Sequence, residues 1–325
     1  MPLDPQARAL LDELDAAGGP PASTRPPAEA RRVASEDARR YAAPPEPVAE
    51  VRDLSVEGPA GAVPVRVYTP PGPPPFPVLV YFHGGGFLFG GPDEVDDAVR
   101  HLAARTPCVA VSVDYRLAPE HPFPAAAEDA FVALSWAQRH AEELDADPQR
   151  IAVAGDSAGG NLAAVVCLMA RDRGLPPPLL QLLVYPVVDF AHPERYPSTE
   201  ENGEGYLLTK QDMETFRDHY LPDGASVANP YASPILADSL GGLPPAWVLL
   251  AGYDPLRDQG ARYAERLRQS GGRAELRTYP DMIHGFFTMA GVLDRGREAR
   301  DEAAERLRRA FGEPGDDDGQ NGGPR

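Results

Sequence analysis

The chain is almost without lysine: Lys210 is the only one among 31 basic residues, and the rest are arginine. This resembles the codon bias of a GC-rich genome and carries no functional reading. Basic residues are also outnumbered, since 49 Asp and Glu leave a formal charge of −18 and a pI near 4.8. Such a surface repels a phosphate backbone, so nucleic acid is not an expected partner. Cysteine is scarce too. Cys108 and Cys167 sit in apolar runs and read as buried free thiols. A metal site needs more Cys or His at short spacing, and none is present, so no metal is expected. No apolar run approaches the roughly 20 residues that span a bilayer. The opening Met1-Pro2-Leu3-Asp4 lacks the basic and apolar regions of a secretory signal, which makes the cytoplasm the expected location.

What is present is alternation. Apolar runs of strand length recur at Pro77–Phe82, Cys108–Asp114, Ile151–Ala154, Leu179–Tyr185, Ala246–Ala251 and Ala274–Tyr279. Between them lie helical patterns at 94–105, 125–140, 161–173, 258–270 and 296–311. Val48–Val56 and Val63–Thr69 alternate and read as an antiparallel pair preceding the others. Continuous apolar strands separated by helices predict a mostly parallel sheet covered on both faces, an α/β fold. Residues 1–47 are Pro- and Arg-rich and predict short helices near Leu3–Leu14 and Pro27–Tyr41. Residues 190–240 hold no clear strand and one helical pattern at Thr209–Tyr220, as expected of a lid or cap inserted in the 48–312 domain. Residues 313–325 read as a disordered tail.

The sharpest chemical signal is Gly155-Asp156-Ser157-Ala158-Gly159 between a strand and a helix. A serine on so tight a turn projects its hydroxyl away from the chain, and small neighbours two residues either side let the turn close. Ser157 is therefore the candidate nucleophile. His83-Gly84-Gly85-Gly86 follows the apolar strand ending at Phe82, where backbone N–H groups turn outward to hold an oxyanion. The expected donors are Gly84, Gly85 and Ala158, with His83 shaping the loop. A serine needs a base, and in this chain order the acid and then the histidine follow it. Of the histidines after Ser157, His192 and His219 fall in the inserted region, while His284 follows the last strand. The acid expected to orient it is Asp254, at the end of the run from Trp247; Asp258 and Asp189 are its rivals.

Together with Asp114-Tyr-Arg-Leu-Ala-Pro-Glu-His-Pro-Phe-Pro124, Asp254-Pro-Leu-Arg-Asp258 and His284-Gly-Phe286, these motifs resemble the hormone-sensitive lipase family, the H-group of the α/β-hydrolases, over about residues 45–312. The resemblance implies an α/β-hydrolase fold with a helical cap built from the N-terminal helices and residues near 190–235. It implies Ser157, Asp254 and His284 as a triad, no metal or organic cofactor, a small-molecule ester of short to medium acyl chain as substrate, and frequent homodimers. Phe87, Leu88, Tyr206, Leu207 and Phe286 are candidates for lining the substrate pocket. The same triad also serves an amidase, a peptidase or a lactonase, and a non-catalytic ligand receptor shares the fold but loses the base. The segment Tyr115–Pro124 suggests no chemistry of its own beyond structural support near the site.

Overall fold

Every residue of the strand Phe76–Phe82 (β3) is buried. Val78, Val80 and Phe82 join one apolar cluster, and Leu79 and Tyr81 join the other. A strand buried this way must lie between two layers of helix. The computed structural model describes residues 1–18 and 24–312 and has that architecture. The remaining strands are Glu50–Gly58 (β1), Gly61–Thr69 (β2), Val109–Val113 (β4), Ala146–Asp156 (β5), Gln181–Val184 (β6), Ala246–Tyr253 (β7) and Ala274–Ile283 (β8). They form one sheet in the order β1-β2-β4-β3-β5-β6-β7-β8. β1 and β2 pair antiparallel, as do β2 and β4; every later neighbour is parallel.

Helices Ala125–Arg139 (α4), Ala158–Asp172 (α5) and Arg257–Gln269 (α8) cover one face. Helices Asp96–Arg105 (α3) and Asp294–Ala310 (α9) cover the other, joined there by Leu10 of Pro5–Ala17 (α1). Pro27–Tyr41 (α2) follows α1, and the insertion carries Pro197–Glu201 (α6) and Lys210–Tyr220 (α7). Thr209 caps α7: its side chain accepts from the Asp212 N–H, and Asp212 reaches back to the Thr209 N–H. No helix among the described residues is long and apolar enough to cross a membrane. The expected tail at 313–325 lies outside the described residues.

Two strands run past their apolar signals. β5 begins at Ala146, five residues before Ile151, through the polar stretch Asp147–Arg150. β8 continues through Pro280 and Asp281 to Ile283. β8 is an edge strand, so the missing N–H of Pro280 breaks no ladder on its free side. The extension carries the chain to His284 at the same end of the sheet at which β5 delivers Ser157.

Candidate active site

β5 turns into α5 in a single residue. Ser157 has φ 54° and ψ −115°, a left-handed conformation that costs a non-glycine residue energy. Its neighbours hold it there: its N–H donates to the Val184 carbonyl (2.9 Å), and its own carbonyl accepts from Asn161 N–H (3.0 Å). The flanking glycines are required by crowding. A Cβ on Gly159 would lie 1.9 Å from the Phe82 carbonyl oxygen, and one on Gly155 would lie 2.3 Å from the Gly159 backbone.

Three residues spaced over more than a hundred positions meet beside this turn. His284 Nε2 is 3.0 Å from Ser157 Oγ, and His284 Nδ1 is 2.8 Å from Asp254 Oδ2. Asp254 is fully buried, and its Oδ1 accepts the Leu256 N–H at 2.7 Å. A carboxylate only accepts, so Nδ1–H donates to it. In the neutral ring Nε2 is then the acceptor for the serine hydroxyl. The Tyr185 ring, 4.5 Å away, covers one side of the imidazole. The two rival acids have other work. Asp189 accepts from Tyr196 Oη (2.7 Å) and from the N–H groups of Ala191 and His192. Asp258 accepts from Ser198 N–H and from Arg257 Nε.

The loop after β3 differs from expectation at one glycine. The N–H of Gly84 donates to Asp156 Oδ1 at 3.1 Å, so it does not face a reacting carbonyl. Tyr81 Oη donates to the same oxygen at 2.8 Å. Gly84 must be glycine because a Cβ there would meet Asp156 Oδ2 at 2.3 Å. Gly85, Gly86 and Ala158 line the same cavity as Ser157, and among the described residues nothing accepts their N–H groups. Gly85 and Ala158 thus remain available as donors, and Gly86 joins them. The sequence held a signal for the role of Asp156, a carboxylate inside the elbow motif, but no partner for it. Burial raises the Asp156 carboxyl above the usual carboxylate range, against the Tyr81 hydrogen bond, the nearby His284 and the Gly84 N–H. His83 shapes the loop: its ring stacks on Tyr115 at 4.2 Å, its Nδ1 is 2.7 Å from the Gly84 carbonyl, and Tyr115 Oη donates to its carbonyl. Burial lowers the His83 pKa to about 4, so the ring is neutral near pH 7.

Above Ser157 opens a cavity of about 350 Å³ with mainly apolar walls. Of the five expected pocket residues, Phe87 and Leu207 line it. Leu88, Tyr206 and Phe286 do not. Leu88 is buried by the turn that its N–H closes onto the Gly85 carbonyl (3.0 Å). Tyr206 packs on Tyr253, 4.9 Å between ring centres, and Phe286 is buried against Tyr279 and Tyr185. Their places are taken by Val33, Ala34 and Ala38 of α2 and by Met213 and Phe216 of α7.

A parallel sheet delivering a serine on a strained strand–helix turn to an imidazole and a buried carboxylate defines an α/β hydrolase. The family described as the alpha/beta hydrolase fold matches residues 79–288. The chain belongs to that family, in its hormone-sensitive-lipase-like branch, and is a hydrolase. It is 49% identical to the carboxylic ester hydrolase LipN of Mycobacterium tuberculosis over 247 residues, 74% of this chain and 65% of LipN. It is 41% identical to the carboxylesterase NlhH of the same organism over 95% of this chain and 96% of NlhH. The ester hydrolase EH1AB1 from the metagenome of Lake Arreo, solved in complex with a bipyridine phosphonate derivative, superposes with a TM-score of 0.92. It is 43% identical over 95% of this chain and 99% of its own.

Proposed function

We propose that the enzyme is a serine carboxylesterase that hydrolyses short- to medium-chain carboxylic esters through an acyl-enzyme intermediate. The observation that carries this reading is the unbroken contact from Asp254 to His284 to Ser157, at 2.8 and 3.0 Å, on the floor of the apolar cavity. His284 Nε2 takes the Ser157 proton as Oγ attacks the ester carbonyl, and the imidazolium formed is stabilised by Asp254. The oxyanion is held by the N–H groups of Gly85, Gly86 and Ala158. The alkoxide leaves with the proton from His284, and water activated by the same ring then releases the acid. A cavity of about 350 Å³ is at the small end of the usual ligand-pocket range, roughly 300–1,000 Å³, which supports a substrate of modest length. α1, α2 and the 190–240 insertion act as the cap over it.

The reading includes a cytoplasmic enzyme, in keeping with two buried free cysteines, and a homodimer, in keeping with the exposed Leu276 on edge strand β8. Cell fractionation and light scattering test these two points. For the chemistry, Ser157→Ala is expected to lose at least about 10⁴-fold in p-nitrophenyl butyrate turnover while keeping the wild-type melting temperature. Turnover near the wild-type level in the folded variant refutes the assignment.

A further inference from the structure

α2 is a poorly buried helix: Ala30 and Tyr41 are its only buried residues. Polar ties therefore hold it over the cavity, and one side chain supplies most of them. Arg31 Nε donates to the Leu88 carbonyl (2.9 Å), and Nη2 donates to the Ala118 carbonyl (3.0 Å). Nη1 and Nη2 meet the two oxygens of Glu120 at 2.9 and 2.6 Å. Glu120 lies in the 114–124 segment, the motif for which the sequence offered no chemistry.

The carbonyl that Arg31 takes is part of the loop of Gly85 and Gly86. The Gly85 carbonyl accepts from both Leu88 N–H (3.0 Å) and Phe89 N–H (3.1 Å), so residues 85–89 form one closed turn. Its outer edge is pinned at two successive carbonyls. Phe87 accepts from Ala118 N–H at 2.8 Å, and Leu88 accepts from Arg31. At the far end of α2 the Tyr41 carbonyl accepts the Gly291 N–H at 2.9 Å, in the stretch that follows His284. The helix thus runs from the oxyanion loop to the histidine side of the site.

We infer that Arg31 is a positioning residue for the oxyanion loop, acting through its bond to the Leu88 carbonyl and not through its pairing with Glu120. The inference rests on the esterase reading above. An ion pair with Arg31 31% and Glu120 52% exposed contributes little by itself, so the working part of the contact is the pair of bonds to the Leu88 and Ala118 carbonyls. The guanidinium fork reaches a carboxylate and two carbonyls at once, which a lysine ammonium on the same stem does not. Arg31 also holds the Glu120 carboxyl down at about 2, so the pair persists throughout the assay range.

The test is steady-state kinetics of the full-length enzyme on p-nitrophenyl acetate, whose two-carbon acyl group keeps contact with the cavity walls to a minimum. Wild-type turnover establishes the esterase reading independently of the variants. Losing an oxyanion donor outright costs about 10²–10³ in kcat, so a loosened loop is expected to cost roughly tenfold. Arg31→Ala and Arg31→Lys should both show that fall in kcat with KM within about twofold, each measured below the melting transition of the variant. Glu120→Gln, which leaves the bond to Leu88, should keep kcat within about twofold. If Arg31→Ala does not fold, Arg31→Lys decides alone. The inference is overturned if Arg31→Lys retains wild-type kcat, since a simple charge tether is rescued by lysine. It is equally overturned if Glu120→Gln loses as much as Arg31→Lys.

Discussion

His83 is a residue whose burial sets its chemistry. Its ring is fully enclosed, one face lies on Tyr115, and its folded pKa is about 4 against an ordinary 6.5. Between those values the unfolded chain takes up a proton that the folded one refuses. The contribution is therefore complete above about pH 6.5 and is lost as pH falls toward 4, by an amount on the order of 3 kcal/mol. A titration of the histidine ring protons by NMR checks this directly: the His83 signals should stay at their neutral positions down to about pH 5. A His83 midpoint above 6 would show that the ring is solvated and that the loop is held by something else. Asp156 makes a similar point. It binds the Gly84 N–H and the Tyr81 hydroxyl, and so its work is to seat the loop that Gly85 and Gly86 occupy.

Among the elements, α7 is fixed to the body of the protein at its last residue. Tyr220 is fully buried and stacks face to face on Phe87, with 3.7 Å between ring centres and planes parallel to within 1°. Phe123 meets it edge-on at 5.8 Å, and the Phe123 N–H donates to its carbonyl. Removing the ring leaves a void under the cap, and Tyr220→Ala should cost about 3–5 kcal/mol in urea unfolding. The Tyr220 hydroxyl finds no hydrogen-bond partner among the described residues. Tyr220→Phe should then cost less than about 1 kcal/mol or raise stability, because it removes an unsatisfied buried polar group. A large loss on Tyr220→Phe would mean that the hydroxyl has a partner, such as an ordered water, that matters to the fold.

At the scale of the whole molecule, a buried ion pair between α9 and α3 joins segments that are far apart in the chain. Arg300 of α9 and Asp97 of α3 are 1% and 5% exposed and meet at 2.8 Å. Arg300 Nε also donates to the Phe287 carbonyl (2.7 Å), three residues after His284. Asp97 accepts the Ala43 N–H (2.7 Å) from the stretch that follows α2. Arg300→Met strands a buried carboxylate and is expected to destabilise by about 3–5 kcal/mol. Arg300→Met combined with Asp97→Asn should lose clearly less than the sum of the two single changes. Strict additivity in thermal or urea unfolding would show that the two charges do not act as a pair.

What the sequence by itself determined is what local chemistry encodes. Apolar runs of strand length separated by helical periods imply a parallel sheet covered on both faces. The elbow glycines mark the one turn where a side chain would strike Phe82 or Gly159. The order of serine, acid and histidine led to Ser157, Asp254 and His284, which meet in space. What only the tertiary structure decided are relations between segments that no period or spacing links. Which glycine N–H is free depends on the Asp156 side chain, 72 residues from Gly84. Leu88 and Phe286 turn into the core and not toward substrate, because the closed turn at Gly85 and the aromatic packing on Tyr279 orient them. Arg31 is one arginine among many in the sequence. It becomes distinctive when α2 lies across residues 88 and 118–120, since hydrogen bonds are set by where the folded backbone places donor and acceptor.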